Sequence, residues 1–106
     1  MLAALESGDA KKLAELIRQD PDFKVNIVQD YSGWTLLHYA CRESRRSPIV
    51  PLLLAHPDIY VNAKNISGET PFYLACRCGS ASGVREMLKD SRVKANEPDI
   101  SGRAPL

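Results

Sequence analysis

Apolar positions along this chain come in short bursts, each too brief for one long helix. Val84, Met87 and Leu88 fall at i, i+3 and i+4, which is one stripe of a short helix. Ile49, Val50, Leu52, Leu53 and Leu54 form an equivalent burst earlier, and Leu13, Leu16 and Ile17 form another. A second set of bursts, around Leu36–Cys41 and Phe72–Cys76, precedes the later two. Thr70-Pro71 predicts a helix start, with threonine as N-cap and proline where its missing N–H costs nothing. Gly79 predicts the end of that helix near Cys78, because glycine tolerates the left-handed conformation. Pro48 and Pro51 would break a helix interior, so the pattern places them in a first turn capped by Ser47. Extended stretches such as Ile59-Tyr60-Val61-Asn62 follow, each leading to a turn.

These elements repeat. Ser32-Gly33 recurs as Ser67-Gly68 and Ser101-Gly102, steps of 67 − 32 = 35 and 101 − 67 = 34 residues. Trp34-Thr35-Leu36-Leu37-His38-Tyr39-Ala40-Cys41 lies in register over Glu69-Thr70-Pro71-Phe72-Tyr73-Leu74-Ala75-Cys76. Ala4-Leu5-Glu6-Ser7-Gly8 lies over Ala75-Cys76-Arg77-Cys78-Gly79, and Arg103-Ala104-Pro105-Leu106 starts a further copy. Val25-Asn26, Val61-Asn62 and Ala95-Asn96 occupy one equivalent pair. A helix of two or three turns is marginal alone, so each apolar face must rest on the next unit, and the period implies a stack.

Gly68-Glu69-Thr70-Pro71-Phe72-Tyr73-Leu74-Ala75-Cys76, followed by Gly79, Val84, Met87-Leu88 and Asn96, closely resembles an ankyrin repeat. The preceding unit keeps Gly33, Thr35, Leu37, His38, Ala40 and Val61-Asn62, with Leu36 in place of the proline. The resemblance implies an all-α fold: an ankyrin-repeat solenoid of stacked helix-turn-helix units with short β-hairpin loops. The expected units are 1–29 (partial), 30–64, 65–98 and 99–106 (the start of a fourth). The extra residues relative to the family period are expected before the second helix, around 45–47, and near Pro57-Asp58.

Composition narrows the function classes. At 44% apolar and 25% charged residues the chain is built like a folded domain rather than a disordered one. A net charge of +1 argues against a surface that tracks nucleic-acid phosphates. No apolar run reaches the ~18 residues of a membrane span, and Met1-Leu2-Ala3-Ala4-Leu5-Glu6 does not read as a signal peptide. Three cysteines without a secretory signal suggest reduced thiols in an intracellular protein, cytoplasmic or nuclear.

His38, Tyr39 and Cys41 raise the question of a metal or nucleophile site. The third unit has Tyr73 where the middle unit has His38, and tyrosine is not an equivalent ligand. Cys41 and Cys76 fall where the family places a small apolar residue, and buried cysteine behaves as a small hydrophobe. Adjacent helices pack ~8–10 Å apart, beyond the reach of a disulfide between those two cysteines. Cys76 and Cys78, two residues apart on a helix, face different sides, so no zinc pair is expected, and Cys78 is the exposed thiol. The resemblance implies that His38 hydrogen-bonds the backbone and holds a hairpin, and that asparagines such as Asn62 stabilise their turns. No cofactor, metal or catalytic site is expected, and no phosphate-binding or nucleophile-elbow motif is present.

The resemblance further implies a protein partner bound along the hairpin tips and first helices. The divergent positions there are Tyr31, Ile66 and Ile100 at the tips, and Trp34, Glu69 and Arg103 after the glycines. On the first helices they are Tyr39, Arg42, Leu74 and Arg77. Tyr31, Trp34, Arg42 and Arg77 lead this set, because partner contacts favour aromatic and arginine side chains. Both ends lack polar capping faces, so the chain is expected to belong to a longer array or to self-associate, with Phe72, Leu74 or their neighbours exposed at the C-terminal edge. Two functions remain open: a non-catalytic protein-interaction module, or the targeting or scaffolding part of a larger enzyme or effector.

Overall fold

The computed structural model describes residues 9–20, 22–26, 28 and 31–105. The register positions at Ala4–Gly8 and Leu106 lie outside these residues. Helix α1 spans Ala10–Gln19. Helix α2 spans Leu36–Arg42 and is followed by a 3-10 helix, Ser44–Ile49, and by α3, Val50–Leu54. Helices α4, Pro71–Arg77, and α5, Ala81–Leu88, complete the described elements, with no strand among the described residues. The loops expected as β-hairpins are turns. The molecule is elongated, 40 × 26 × 24 Å.

Each helix starts for a local reason. Asp9 accepts the Lys12 N–H and caps α1. Thr35 and Thr70 cap α2 and α4 by accepting the N–H groups of His38 and Tyr73. Gly79 follows α4 with φ +69°, the left-handed end of that helix. The start of the second helix in the middle unit departs from expectation. Ser47 is not its cap. The chain begins a 3-10 helix at Ser44, with Pro48 inside it, and passes to α-geometry at Val50, with Pro51 in the first turn. The tighter i→i+3 pattern suits short pieces at helix ends, so it lets the chain turn before both prolines have to be placed.

One continuous core joins the units. Leu13 from α1, Leu36, Leu37, Ala40 and Cys41 from α2, Ile49, Val50 and Leu53, and Phe72, Ala75 and Met87 are all fully buried. Leu16, Ile17, Leu54 and Val84 pack against this cluster while partly exposed. Leu88, read as part of the core stripe, is instead 56% exposed. Phe72 and Leu74, expected at an open edge, are buried. The turn at residues 99–102 folds over their unit, where the Ile100 N–H bonds the Ser67 carbonyl and the Tyr73 hydroxyl bonds Asp99.

The turns are joined tip to tip. The Ile66 N–H donates to the Ser32 carbonyl at 2.9 Å, and the Ile100 N–H donates to Ser67 at 3.0 Å, the same bond one unit later. Positive φ is common to the recurring glycines Gly33, Gly68 and Gly102, and close approach adds to it at Gly68. Gly68 has φ +74°, and a Cβ there would lie 2.7 Å from the Ile100 nitrogen. On the other side of each unit, Asn26 donates to the Asp58 carbonyl and accepts from the Tyr60 N–H. Asn62 does the same with Arg92 and Lys94. These amides were expected to stabilise their own turns, but they clasp one unit to the next. Among the described residues, no helix is long and apolar enough to cross a membrane.

Candidate partner-binding site

The first helices of the second and third units, α2 and α4, end in the same three residues, Ala40-Cys41-Arg42 and Ala75-Cys76-Arg77. Helical geometry therefore projects Arg42 and Arg77 from equivalent places on α2 and α4. Between them lies a groove of ≈ 310 Å³ lined by Trp34, Arg42, Glu69, Leu74, Arg77 and Cys78. Trp34 forms one wall. Its ring sits 5.1 Å from Tyr39, and the Arg42 guanidinium lies 5.5 Å over its face. Leu74 is 2% exposed and takes part in the lining.

Glu69 is buried, and its burial is compensated. Oε1 accepts from the Asn65 amide at 2.9 Å, and Oε2 accepts from Arg77 at 2.5 Å. Asn65 in turn accepts the N–H groups of Ser67 and Glu69, which shapes the turn. Asp99 repeats this plan one unit on. Its carboxylate accepts from the N–H groups of Ser101 and Arg103, from Arg103 Nε and from the Tyr73 hydroxyl. These bonds, led by the Arg103 backbone, hold its pKa down at about 2.

His38 lies beneath the groove and is fully buried. The Thr35 N–H donates to Nδ1 at 3.1 Å, so Nδ1 must be the acceptor and Nε2 carries the proton. Nε2 then donates to the Glu69 carbonyl of the next unit at 2.8 Å. Burial lowers the His38 pKa, so the ring is neutral. Burial also pushes up the Cys41 thiol, and to a smaller degree Cys76, whereas Cys78 is exposed. Among the described residues, no group of three or more His, Cys, Asp or Glu converges as a metal site.

The family model described as ankyrin repeats (3 copies) matches residues 1–106. This chain belongs to the ankyrin-repeat family. Human Rabankyrin-5 is 33% identical over 92 residues, covering 86% of this chain and 8% of that protein. The Saccharomyces cerevisiae Target of rapamycin complex 2 subunit AVO2 is 29% identical over 103 residues, 97% of this chain and 24% of its own length. Human 2-5A-dependent ribonuclease is 37% identical over 81 residues, 76% of this chain and 10% of its own. The chain thus spans less than a quarter of each of these relatives. Ankyrin repeats are generally protein–protein interaction modules and are not themselves catalytic.

The ankyrin stack brings five of the ten divergent positions into the lining of one groove, Trp34, Arg42, Glu69, Leu74 and Arg77, with Tyr39 in ring contact with Trp34. Tyr31, Ile66 and Ile100 stand on successive tips, 101%, 68% and 76% exposed. Arg103 is separate from the groove, exposed at the last tip and paired with Asp99. Two residues of the site were not singled out from the sequence as part of it. Cys78 lines the groove because it follows Leu74 by one helical turn, a spacing that was readable. Asn65 organises Glu69 from the turn, and its i+4 relation to that residue was the available signal.

Proposed function

We propose that this ankyrin-repeat chain is a non-catalytic interaction module that holds a protein partner in the groove between Trp34 and Leu74, flanked by Arg42 and Arg77. The tip residues Tyr31, Ile66 and Ile100 extend the contact surface along the stack. The observation that carries this reading is Trp34. It is half-buried, braced by Tyr39 and Arg42, and bordered by an open groove instead of being packed into the core. A rigid aromatic beside an arginine is what a partner contact needs, because little side-chain freedom is left to lose on binding. The test compares proteins retained by the immobilised chain with those retained by the Trp34→Ala, Arg42→Ala double variant. The variant should stay folded and lose its partners; unchanged retention by a folded variant would refute the assignment.

A second reading is favoured by the coverage. The chain matches 8% to 24% of the relatives above, one of which is named as a ribonuclease. In that reading the same surface targets or scaffolds a larger enzyme or effector. The full-length protein decides it, according to whether a catalytic domain is joined to these repeats.

A further inference from the structure

The two signs of charge at the groove and at the last tip beyond it differ in how far they are available. Glu69 and Asp99 have side chains 6% and 3% exposed, and their oxygens are already occupied by protein donors. The arginines that neutralise them project outward: Arg77 is 60% exposed and Arg103 68% exposed. Arg42 is exposed as well, and its guanidinium lies over the Trp34 ring. A tally of formal charges makes this face nearly neutral. What an approaching molecule meets is cationic, because the anions are sunk into the turns and the cations stand above them. Arg42 and Arg77 are register equivalents on adjacent helices, so they stand on the two sides of a groove whose walls include Trp34 and Leu74.

Resting on the groove being the partner site, we propose that its occupant is an acidic peptide segment carrying one large apolar side chain. That side chain sits between Trp34 and Leu74, and carboxylates on either side of it meet Arg42 and Arg77. The groove of ≈ 310 Å³ has room for it, since an apolar cavity of about 150 Å³ already accepts a benzene ring. Guanidinium forks pair two-pronged with carboxylates, and the available donors of Arg42 have no stronger claim on them. A basic segment would instead meet two like charges, with the carboxylate lining the groove, Glu69, already occupied.

The probes are three short synthetic peptides sharing a single central phenylalanine, flanked by glutamates, by serines or by lysines. Trp34 is the sole tryptophan, so its emission reports the groove directly. The glutamate peptide should bind at least about tenfold more tightly than the serine peptide at low salt, with the lysine peptide weakest. The gap should narrow to within about threefold at ~1 M salt, where charges are screened beyond about 3 Å. Arg42→Gln with Arg77→Gln should abolish the preference and leave the residual apolar binding. Should that pair fail to fold, Arg42→Gln alone should reduce the preference, since Arg42 is exposed and lies over the indole ring. Equal binding of the glutamate and lysine peptides would overturn the acidic occupant but leave the groove assignment standing. No emission change with any peptide would also overturn it, while the groove assignment would fall only if the Trp34→Ala, Arg42→Ala variant kept its partners.

Discussion

Replacing His38 with leucine isolates the bond that ties one repeat to the next. The position is fully buried, so leucine keeps most of the packing while both ring nitrogens are lost. The Thr35 N–H then has no acceptor from this side chain, and an unsatisfied buried donor costs about 1–3 kcal/mol. The Glu69 carbonyl loses Nε2 but keeps the Asn65 N–H at 3.1 Å, so that loss is nearer the ~0.5–1.5 kcal/mol of one ordinary bond. The sum is about 1.5–4.5 kcal/mol, a large share of the ~5–15 kcal/mol that holds a domain of this size. Tyr73→Phe, at the register-equivalent site, should cost about 1 kcal/mol or less, because Asp99 keeps Ser101, both Arg103 donors and its turn. Urea unfolding followed by far-UV circular dichroism should lower the midpoint by about 1–2 M for His38→Leu, and by under about 0.5 M for Tyr73→Phe. Equal shifts, or a larger one for Tyr73→Phe, would refute the claim that the histidine is the stronger clasp.

Stability should also depend on His38 through pH. Its pKa in the folded chain lies below 6.5, so the unfolded chain binds the proton more readily. The contribution is present above pH ~6.5 and declines as pH falls toward the folded value; titrated unfolding should show this slope in the wild type and a smaller one in His38→Leu. Glycine-to-alanine substitutions should rank Gly68 worst, then Gly33, then Gly102. All three have positive φ, but a Cβ would meet backbone at 2.7 Å, at 3.3 Å, or nothing within 4 Å, respectively. The conformational part alone costs about 1–2 kcal/mol, and thermal melts would read the order. Under native conditions a thiol reagent should label Cys78 first and Cys41 last, because burial suppresses the Cys41 thiolate; mass spectrometry of partially labelled chain checks this.

What could be read from the sequence was chemistry closed within a few residues. Thr70-Pro71 and Gly79 set the ends of α4 by rules that span one helical turn, and the period of the Ser-Gly pairs announced the stack. The contacts between units were not readable in the same way. Asn62 reaches Arg92 and Lys94, some thirty residues on, and nothing beside Asn62 in the chain marks that reach. The sequence marked Tyr73 only as a residue that is not an equivalent ligand to His38. Its longer side chain instead reaches the Asp99 carboxylate, and so replaces a bond to backbone with a bond to a side chain. The charge asymmetry at the groove was hidden for a related reason. Glu69 and Arg77 appear in the sequence as one of each sign, and only packing shows that the carboxylate is sunk and the guanidinium raised.

The central claim is that recurring residues build the stack while divergent ones on the tips and first helices meet a partner. Hydrogen–deuterium exchange on the chain with a retained partner bound tests it most directly. New protection should appear in segments 31–42 and 66–78, with little change along the opposite side at 51–55 and 86–91. Protection confined to that opposite side, with the groove unchanged, would contradict it.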